Sequence, residues 1–323
     1  MVLLTQSTET HKPITEEALQ AAGIPARFID EALRTSRWME ERRITGDVPT
    51  DRSSNLHNLQ ALARRDPYYT FGLSLDSHWD EASLLDLMHR RVGISADPTF
   101  TSGQDYIDTL LTITELYRYA QRIGEVAYRT TWPSNGAGES KTSQSGENKH
   151  MVKHRPARIL CATGHPACLG LMYVPLLRAL QVAGCELFSL NTLLGNDSPV
   201  TGRQLVIDGP DEGELRQVQG VLLRYHNGNL MHTHQPQYMR AVLRELAGSS
   251  WQPDLVIADH GWAVAAGLAG FETLAIADCN DTAAFVAAEQ GSVEICVPMD
   301  DGEPETSTGP VTDFIVKVAG LKL

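Results

Sequence analysis

Two short apolar runs of the sequence, LVIA and LAIA, each end on an aspartate: Asp259 and Asp278. If both runs are parallel strands of one sheet, their carboxyl ends lie at the same edge, where α/β proteins bind ligands at the point of strand-order reversal. Neighbouring strands lie about 4.8 Å apart, so the two carboxylates could share one cation. Further polar residues follow: His260 after the first run, Asn280 and Asp281 after the second.

Carboxylate and amide oxygens are the hard ligands that Mg2+ and Mn2+ prefer. We therefore predict a site for Mg2+ or Mn2+ at this edge. The predicted ligands are Asp259, Asp278, Asn280 and Asp281. The alternative is that an aspartate of the second group only caps the helix that begins near Thr282.

A glycine turn follows an earlier strand of the same region, in the sequence CATGHPACLG. It contains neither GxGxxG nor GxxxxGK[ST], so it matches neither the dinucleotide nor the P-loop motif. A turn that leads into a helix N-terminus still offers backbone NH groups and the positive end of the helix dipole to an anion. We predict that Thr163, Gly164 and His165 bind a substrate phosphate or carboxylate, although the turn could equally be a plain connection.

Two histidines, His232 and His234, are separated by one residue in the sequence NLMHTHQPQYM. In a strand such residues point to one face, and we expect the pair at a strand end on the carboxyl edge. Imidazoles bind transition metals and also act as acids and bases near neutral pH. We predict catalytic roles for this pair and for Asp259 and His260, with His232 or His234 as the acid.

Other reactive residues carry weaker signals. Strand alternation turns Cys279 away from its neighbours, so we expect a small buried thiol and not a nucleophile. Arg224 and Arg240 are the nearest cations in the sequence that could hold a phosphate. Asp300 and Asp301 follow the last strand and could reach the same edge, but we favour a solvated acidic loop there.

The segments that must position these residues change character along the chain. From residue 15 to about 131 the apolar spacing predicts helices throughout. Ser102 and Asp105 resemble a capping pair at the start of the last of these helices. Residues 133–149 are rich in Ser, Gly and Asn, which predicts a linker or mobile loop.

From Arg158 onward, short apolar strands alternate with helices, as in a parallel sheet covered on both faces. Asn227-Gly228 is a strong signal for a two-residue hairpin loop. The predicted fold is α/β: a Rossmann-like doubly wound, mainly parallel sheet with an inserted β-hairpin, preceded by an all-helical N-terminal domain or cap. The predicted boundaries are 1–132 for the helical part, 133–155 for the linker and 156–323 for the catalytic domain.

Composition narrows the possible functions. The 323 residues carry a formal net charge of −13, and from Pro156 onward nine Lys and Arg stand against 19 Asp and Glu. Such a surface repels a phosphate backbone, so we expect no nucleic-acid partner. No apolar stretch reaches the roughly 18 residues of a membrane span, and the start lacks a secretory signal. Five cysteines without a CxxC pair fit reduced thiols. We expect a cytoplasmic protein without membrane contact, for which a homo-oligomer is one candidate state.

Several motifs in order, ATGHP, MHTH, PDLVIADHGWAVAAGLAG, ADCNDTAAF and VPMDDG, resemble proteins common in actinobacteria that are catalogued as a phosphatase family. The resemblance covers residues 156–323 and is weaker in the helical part. It implies hydrolysis of phosphate monoesters. The motif positions are Asp259, His260, Asp278, Asn280 and Asp281. The chain departs from the family pattern at Val264, at Thr282 and in the longer loop at 133–149, which leaves the substrate open.

We therefore expect a metal-dependent phosphatase that uses Mg2+ or Mn2+ and acts on a small phosphorylated metabolite, with the N-terminal helices closing over the substrate. Two alternatives remain. One is a metal-dependent lyase or cyclase acting on a carboxylate-bearing, amino-acid-like substrate. The other is a module that binds a sugar phosphate or nucleotide without turnover.

Overall fold

The computed structural model describes residues 13–129, 155–191, 205–208, 211–302 and 305–323. The predicted linker lies almost wholly outside these residues. In the part of the chain that is described, no helix is long and apolar enough to cross a membrane.

The first part of the chain is mainly helical. Its helices are α1 (Glu16–Ala21), α2 (Ala26–Glu41), α3 (Arg52–Ala63), α4 (Pro67–Thr70), α5 (Glu81–Val92) and α6 (Thr109–Arg129), and its strands are β1 (Gly46–Asp51) and β2 (Gln104–Ile107).

The prediction of helices throughout this part is wrong at one place, because β1 and β2 pair as an antiparallel ribbon. In β2, Asp105 and Ile107 alternate with more exposed neighbours and face inward. The extended backbone brings the Asp105 carboxylate to 3.1 Å from the Arg52 guanidinium. Ser102 and Asp105 therefore do not cap α6. Asp108 does so, its Oδ1 accepting the first free backbone NH groups of the helix.

The second part alternates strands and helices, as expected. Its strands are β3 (Arg158–Ala162), β4 (Glu186–Leu187), β5 (Val206–Ile207), β6 (Gly213–Val218), β7 (Val221–His226), β8 (Asn229–Leu230), β9 (Leu255–Asp259), β10 (Thr273–Ala277) and β11 (Ile295–Pro298). Its helices are α7 (Leu169–Val182), α8 (Gln237–Leu246), α9 (His260–Leu268), α10 (Thr282–Glu289) and α11 (Glu305–Val318).

These strands form one sheet in the order β11-β10-β9-β3-β7-β6-β5, with β4 also paired to β3 and β8 to β7. The run from β11 to β7 is parallel. Strand β6 pairs antiparallel with β7, and β5 pairs antiparallel with β6. The expectation of a mainly parallel α/β sheet is confirmed. From β3 the chain moves to β4 and then to β7 on one side, and later to β9 on the other. Strand order therefore reverses between β3 and β9, where ligand crevices form in such sheets.

The predicted hairpin is also confirmed. Asn227 and Gly228 have φ values of 49° and 87° and join β7 to β8. Positive φ at both loop positions gives the twist that antiparallel strands need. The hairpin is part of the main sheet, since β7 pairs with β3 along its other edge.

Two apolar cores fill the two faces of the sheet. Successive side chains of a strand point to opposite faces of the sheet. Ile159 and Ile257 therefore belong to one core, and Leu160 and Val256 belong to the other. Helices α2, α6, α7 and α11 cover the first core, and α3, α5, α8, α9 and α10 cover the second. The helices of the first part therefore share both cores with the sheet.

Residues 231–235, which we call the histidine loop, run across the carboxyl ends of β3 and β9. The Thr233 NH donates to the Gly164 carbonyl at 3.0 Å, and the Gly261 NH donates to the His234 carbonyl at 3.1 Å. A Cβ atom on Gly164 or Gly261 would overlap the carbonyl oxygen of Thr233 or His234. Glycine at both turns is what lets the loop lie directly on the sheet edge.

We expect Gly164→Ala to destabilise the protein by about 1 to 3 kcal/mol, because the added methyl group displaces backbone that cannot rotate away. Gly248→Ala is the matched control, since a Cβ there meets open space. Urea unfolding of the two variants measures the difference. Equal stability of the two variants would contradict the close approach of the histidine loop.

Candidate active site

Four histidines meet at the carboxyl edge of the sheet. Ring centroids of His165 and His232 are 4.3 Å apart, those of His165 and His260 are 4.4 Å apart, and those of His234 and His260 are 4.1 Å apart. The last two rings are stacked, with 10° between their planes. The turn after β3, the histidine loop and the start of α9 thus place all four predicted histidines at one point.

Two aspartates complete this group. Asp281 Oδ1 lies 2.9 Å from His234 Nδ1, and Asp281 Oδ2 contacts His260 Nδ1. Asp301 Oδ2 lies 2.6 Å from His260 Nε2, and Asp301 Oδ1 lies 3.5 Å from His165 Nε2. The imidazole of His260 therefore stands between the two carboxylates. We call His165, His234, His260, Asp281 and Asp301 the His/Asp cluster.

Three polar atoms of the cluster are buried without a hydrogen-bond partner: His260 Nδ1, Asp281 Oδ2 and Asp301 Oδ2. They contact one another as ion pairs of His260 with Asp281 and Asp301, without an aligned hydrogen bond. Leaving such atoms unsatisfied costs about 1 to 3 kcal/mol each, and more when they are charged. Ligand atoms of His260, Asp281 and Asp301 lie within 4.8 Å of one another, as do those of His165, His234 and His260. The cluster therefore fits a bound cation, which would satisfy these atoms together.

The backbone of His260 is strained. Its φ of 41° lies in the left-handed region, which is uncommon for residues other than glycine. Such strain costs on the order of 1 to 3 kcal/mol and persists where the surroundings fix the residue. Here the next residue, Gly261, is held by the histidine loop, and the His260 ring is fully buried among the cluster residues.

Asp259 has a supporting position beside the cluster. Its carboxylate accepts hydrogen bonds from the Thr163 hydroxyl and, at 2.8 Å, from the Gly164 NH. The donors predicted to bind a substrate anion are therefore directed at a side chain of the protein itself. Of that predicted set, only His165 reaches the cluster. Burial opposes ionisation of Asp259, but bonding to His165 and the charge of His260 outweigh it and lower the pKa of Asp259.

Asp278 also lies behind the cluster. Its Oδ2 accepts from the Thr50 hydroxyl and the Asn280 amide, both at 2.8 Å, and the same hydroxyl lies 3.3 Å from Asp300 Oδ2. Burial and the nearby charges of Asp301 and Asp300 raise the pKa of Asp278 well above its usual value. The Asn280 Nδ2 donates to Asp278, whereas the Asn280 Oδ1 is buried without a hydrogen-bond partner.

The expectation of a solvated acidic loop at Asp300 and Asp301 is wrong. Their exposed fractions are only 4% and 5%, because β11 delivers them to the same edge as the other acids. The available signal was positional: they follow a buried strand just as Asp259 and Asp278 do.

The charge states of two histidines differ. Burial and repulsion by the other three histidines lower the pKa of His232 to about 4. Burial also disfavours charge on His260, but Asp281 and Asp301 outweigh it and raise the pKa of His260 well above its usual value. The contacts with Asp281 and Asp301 thus favour the positively charged form of the His260 ring.

Helix α3 of the first part holds the loop that follows β10. The Asn58 amide donates to the Asn280 carbonyl at 3.0 Å, and the Asn55 amide lies 3.2 Å from Cys279 Sγ. Asn55 in turn donates to Asp105, which pairs with the fully buried Arg52. Sequence reasoning missed this network, because polar residues on an amphipathic helix are usually solvated.

The prediction of a buried Cys279 is confirmed, and burial raises the pKa of its thiol well above the usual value. All five cysteines are free and buried.

A cavity of about 260 Å³ opens above the histidine loop. Its lining includes His232, His234, Asn280 and Asp281 on the sheet side and Leu62, Tyr68, Tyr69 and Phe71 on the side of the first part. No Lys or Arg is found among the described residues that line it. Arg224 donates to the carbonyls of His232 and Glu212, and Arg240 donates to the carbonyl of Phe71, so both predicted cations are occupied with backbone oxygens.

A sequence profile of the family described as Phosphatase matches residues 30–138 and 141–323. The chain belongs to this family. It is also 35% identical over 283 residues, 87% of the chain and 93% of the relative, to the Streptomyces coelicolor protein named Phosphatase SCO2771. The resemblance seen in the motifs is thereby confirmed, and it extends over the helical part. No solved structure shows significant similarity to the chain.

For this member of the Phosphatase family, we expect Thr50→Val to lower the free energy of unfolding by about 1 to 3 kcal/mol. The change removes the hydroxyl donor between two buried carboxylates. Thr101→Val, at an exposed threonine, is the control. Urea denaturation midpoints test this, and an unchanged midpoint for Thr50→Val would contradict the assigned hydrogen bond.

Proposed function

We propose that the protein is a metal-dependent phosphatase that hydrolyses a phosphate monoester of a small metabolite. One observation carries the proposal: three buried ligand atoms without hydrogen-bond partners lie beside a cavity, in a chain of the Phosphatase family.

The ion would be held by the His/Asp cluster. Of the ligands predicted from sequence, Asp281 belongs to this cluster, whereas Asp259, Asp278 and Asn280 do not. Imidazole nitrogens suit transition metals, whereas Mg2+ prefers oxygen ligands alone. The donor set therefore favours Mn2+ or Zn2+ over Mg2+. When bound, such an ion polarises phosphoryl oxygens and lowers the pKa of a coordinated water.

Charge supports the same conclusion. A phosphate dianion entering the cavity approaches the carboxylate of Asp281, with Asp301 just behind it. The described lining offers no Lys or Arg to offset this repulsion. A bound cation supplies the missing positive charge, as metal ions do at many phosphoryl-transfer sites.

The remaining residues have separate tasks. His232 lines the cavity and lies outside both groups of metal-capable residues. Its lowered pKa, about 4, leaves the imidazole neutral near pH 7, so we assign it the role of accepting a proton from the attacking water. Asp259 fixes the turn that carries His165 through its bonds to Thr163 and Gly164. Residues of α3 and α4 cover the cavity and limit the access of water.

We expect the wild type to release phosphate from esters only with Mn2+ or Zn2+ present, and Asp301→Asn to lower both bound metal and kcat/KM by about 100-fold or more, since a metal ligand is lost. Phosphate release and metal content by mass spectrometry measure the two effects. Asp86→Asn, which alters an exposed carboxylate on α5, is the matched control.

Full activity of the wild type after EDTA treatment would overturn the proposal. So would an Asp301→Asn variant that is folded, retains wild-type metal content and has wild-type activity.

A further inference from the structure

The cavity has an aromatic wall opposite the histidines, formed by Tyr68, Tyr69 and Phe71. The rings of Tyr68 and Tyr69 lie edge to face, with centroids 5.3 Å apart. The Phe71 ring packs on the turn that carries His260, since a Cβ on Gly261 would lie 3.1 Å from it. The wall is thus a fixed surface for an apolar ring face.

Hydrogen bonds tie this wall to the catalytic side of the cavity. The Gln235 amide, in the histidine loop, donates to the Tyr68 carbonyl at 3.2 Å. Arg240 of α8 donates to the Phe71 carbonyl at 2.7 Å. The distance between the wall and the His/Asp cluster is therefore set before a ligand enters.

Hydrogen-bond acceptors accompany the aromatic rings. Asn280 Oδ1 is buried and lacks a partner, because its amide group faces Asp278. The Asp211 carboxylate lines the cavity and accepts one bond, at 2.7 Å, from the Thr233 hydroxyl. The Asp211 carboxylate suits a hydroxyl donor of a ligand, whereas the Asn280 oxygen is buried beneath the cavity surface.

A second anionic group of a ligand would be unfavourable here. The Arg224 guanidinium lies 3.5 Å from Asp211 and donates to the carbonyls of His232 and Glu212, but it is not among the described residues that line the cavity. Within the described lining, Asp211 and Asp281 are then the charged groups that a ligand anion meets beyond the histidines.

We propose that the substrate is the monophosphate of a neutral, ring-shaped polyol, a cyclic sugar or cyclitol, without a second anionic group. The C–H face of the ring packs on Tyr68, since these C–H groups are weakly positive and the aromatic face is negative. Ring hydroxyls donate to Asp211. The cavity of about 260 Å³ is at the small end for ligand sites, which fits such a molecule. This substrate class rests on the phosphatase function proposed above.

Three esters that share one leaving group, the alkoxide at C6, test the substrate class. They are glucose 6-phosphate, sorbitol 6-phosphate and 6-phosphogluconate. Glucose 6-phosphate has a ring that sorbitol 6-phosphate lacks, and 6-phosphogluconate has a carboxylate that sorbitol 6-phosphate lacks. With the Mn2+-loaded protein we expect kcat/KM to fall in that order, by about fivefold or more at each step.

A variant pair separates ring packing from general effects. Tyr68 is 48% exposed, so its replacement leaves the core intact. Tyr68→Ala should raise KM for glucose 6-phosphate about fivefold and leave KM for sorbitol 6-phosphate within about twofold. Tyr68→Phe keeps the ring and should behave as the wild type.

Equal or reversed kcat/KM values among the three esters would overturn the proposed substrate class. The phosphatase function would still stand if these esters, or phenyl phosphate as a fourth, release phosphate in a metal-dependent way. Release from phenyl phosphate alone would also overturn the substrate class. If no ester releases phosphate, both proposals fall.

Discussion

The central constraint of this structure is the burial of two carboxylates around one imidazole. Asp281 and Asp301 end up almost wholly inaccessible to water, on either side of the fully buried His260. Charges removed from water cost several kcal/mol each unless partners compensate them. Contacts with His260 compensate only in part, since an oxygen of each carboxylate has no hydrogen bond. A bound cation, as we propose, would provide the compensation that the side chains do not.

The rest of the fold serves to bring these groups together. Strands β3, β9, β10 and β11 lie side by side and parallel, so the residues that follow them meet at one edge. Two glycine turns admit the histidine loop onto that edge, and α3 fixes the segment after β10. A second layer of carboxylates, Asp259 and Asp278, is satisfied by hydrogen bonds and holds the first layer in place.

Sequence patterns predicted the edge well, because a buried parallel strand is a continuous apolar run and its end is visible as the first polar residue. The hairpin was predictable for an equally local reason, the positive φ that Asn227 and Gly228 accept. The burial and hydrogen bonding of each side chain were not predictable from sequence. Asp259 and Asp301 follow their strands in the same way, but nearby donors satisfy only the first. That difference depends on which NH or hydroxyl group lies within reach in three dimensions. Asp105 is a further example, because its buried carboxylate pairs with Arg52, which lies 53 residues away in the sequence.

A crystal structure of the protein grown with Mn2+, with anomalous scattering recorded, tests the central claim most directly. The account predicts an anomalous peak within about 2.3 Å of ligand atoms drawn from His165, His234, His260, Asp281 and Asp301. A peak coordinated instead by Asp259 and Asp278, or no peak at this edge of the sheet with Mn2+ in excess, would contradict it.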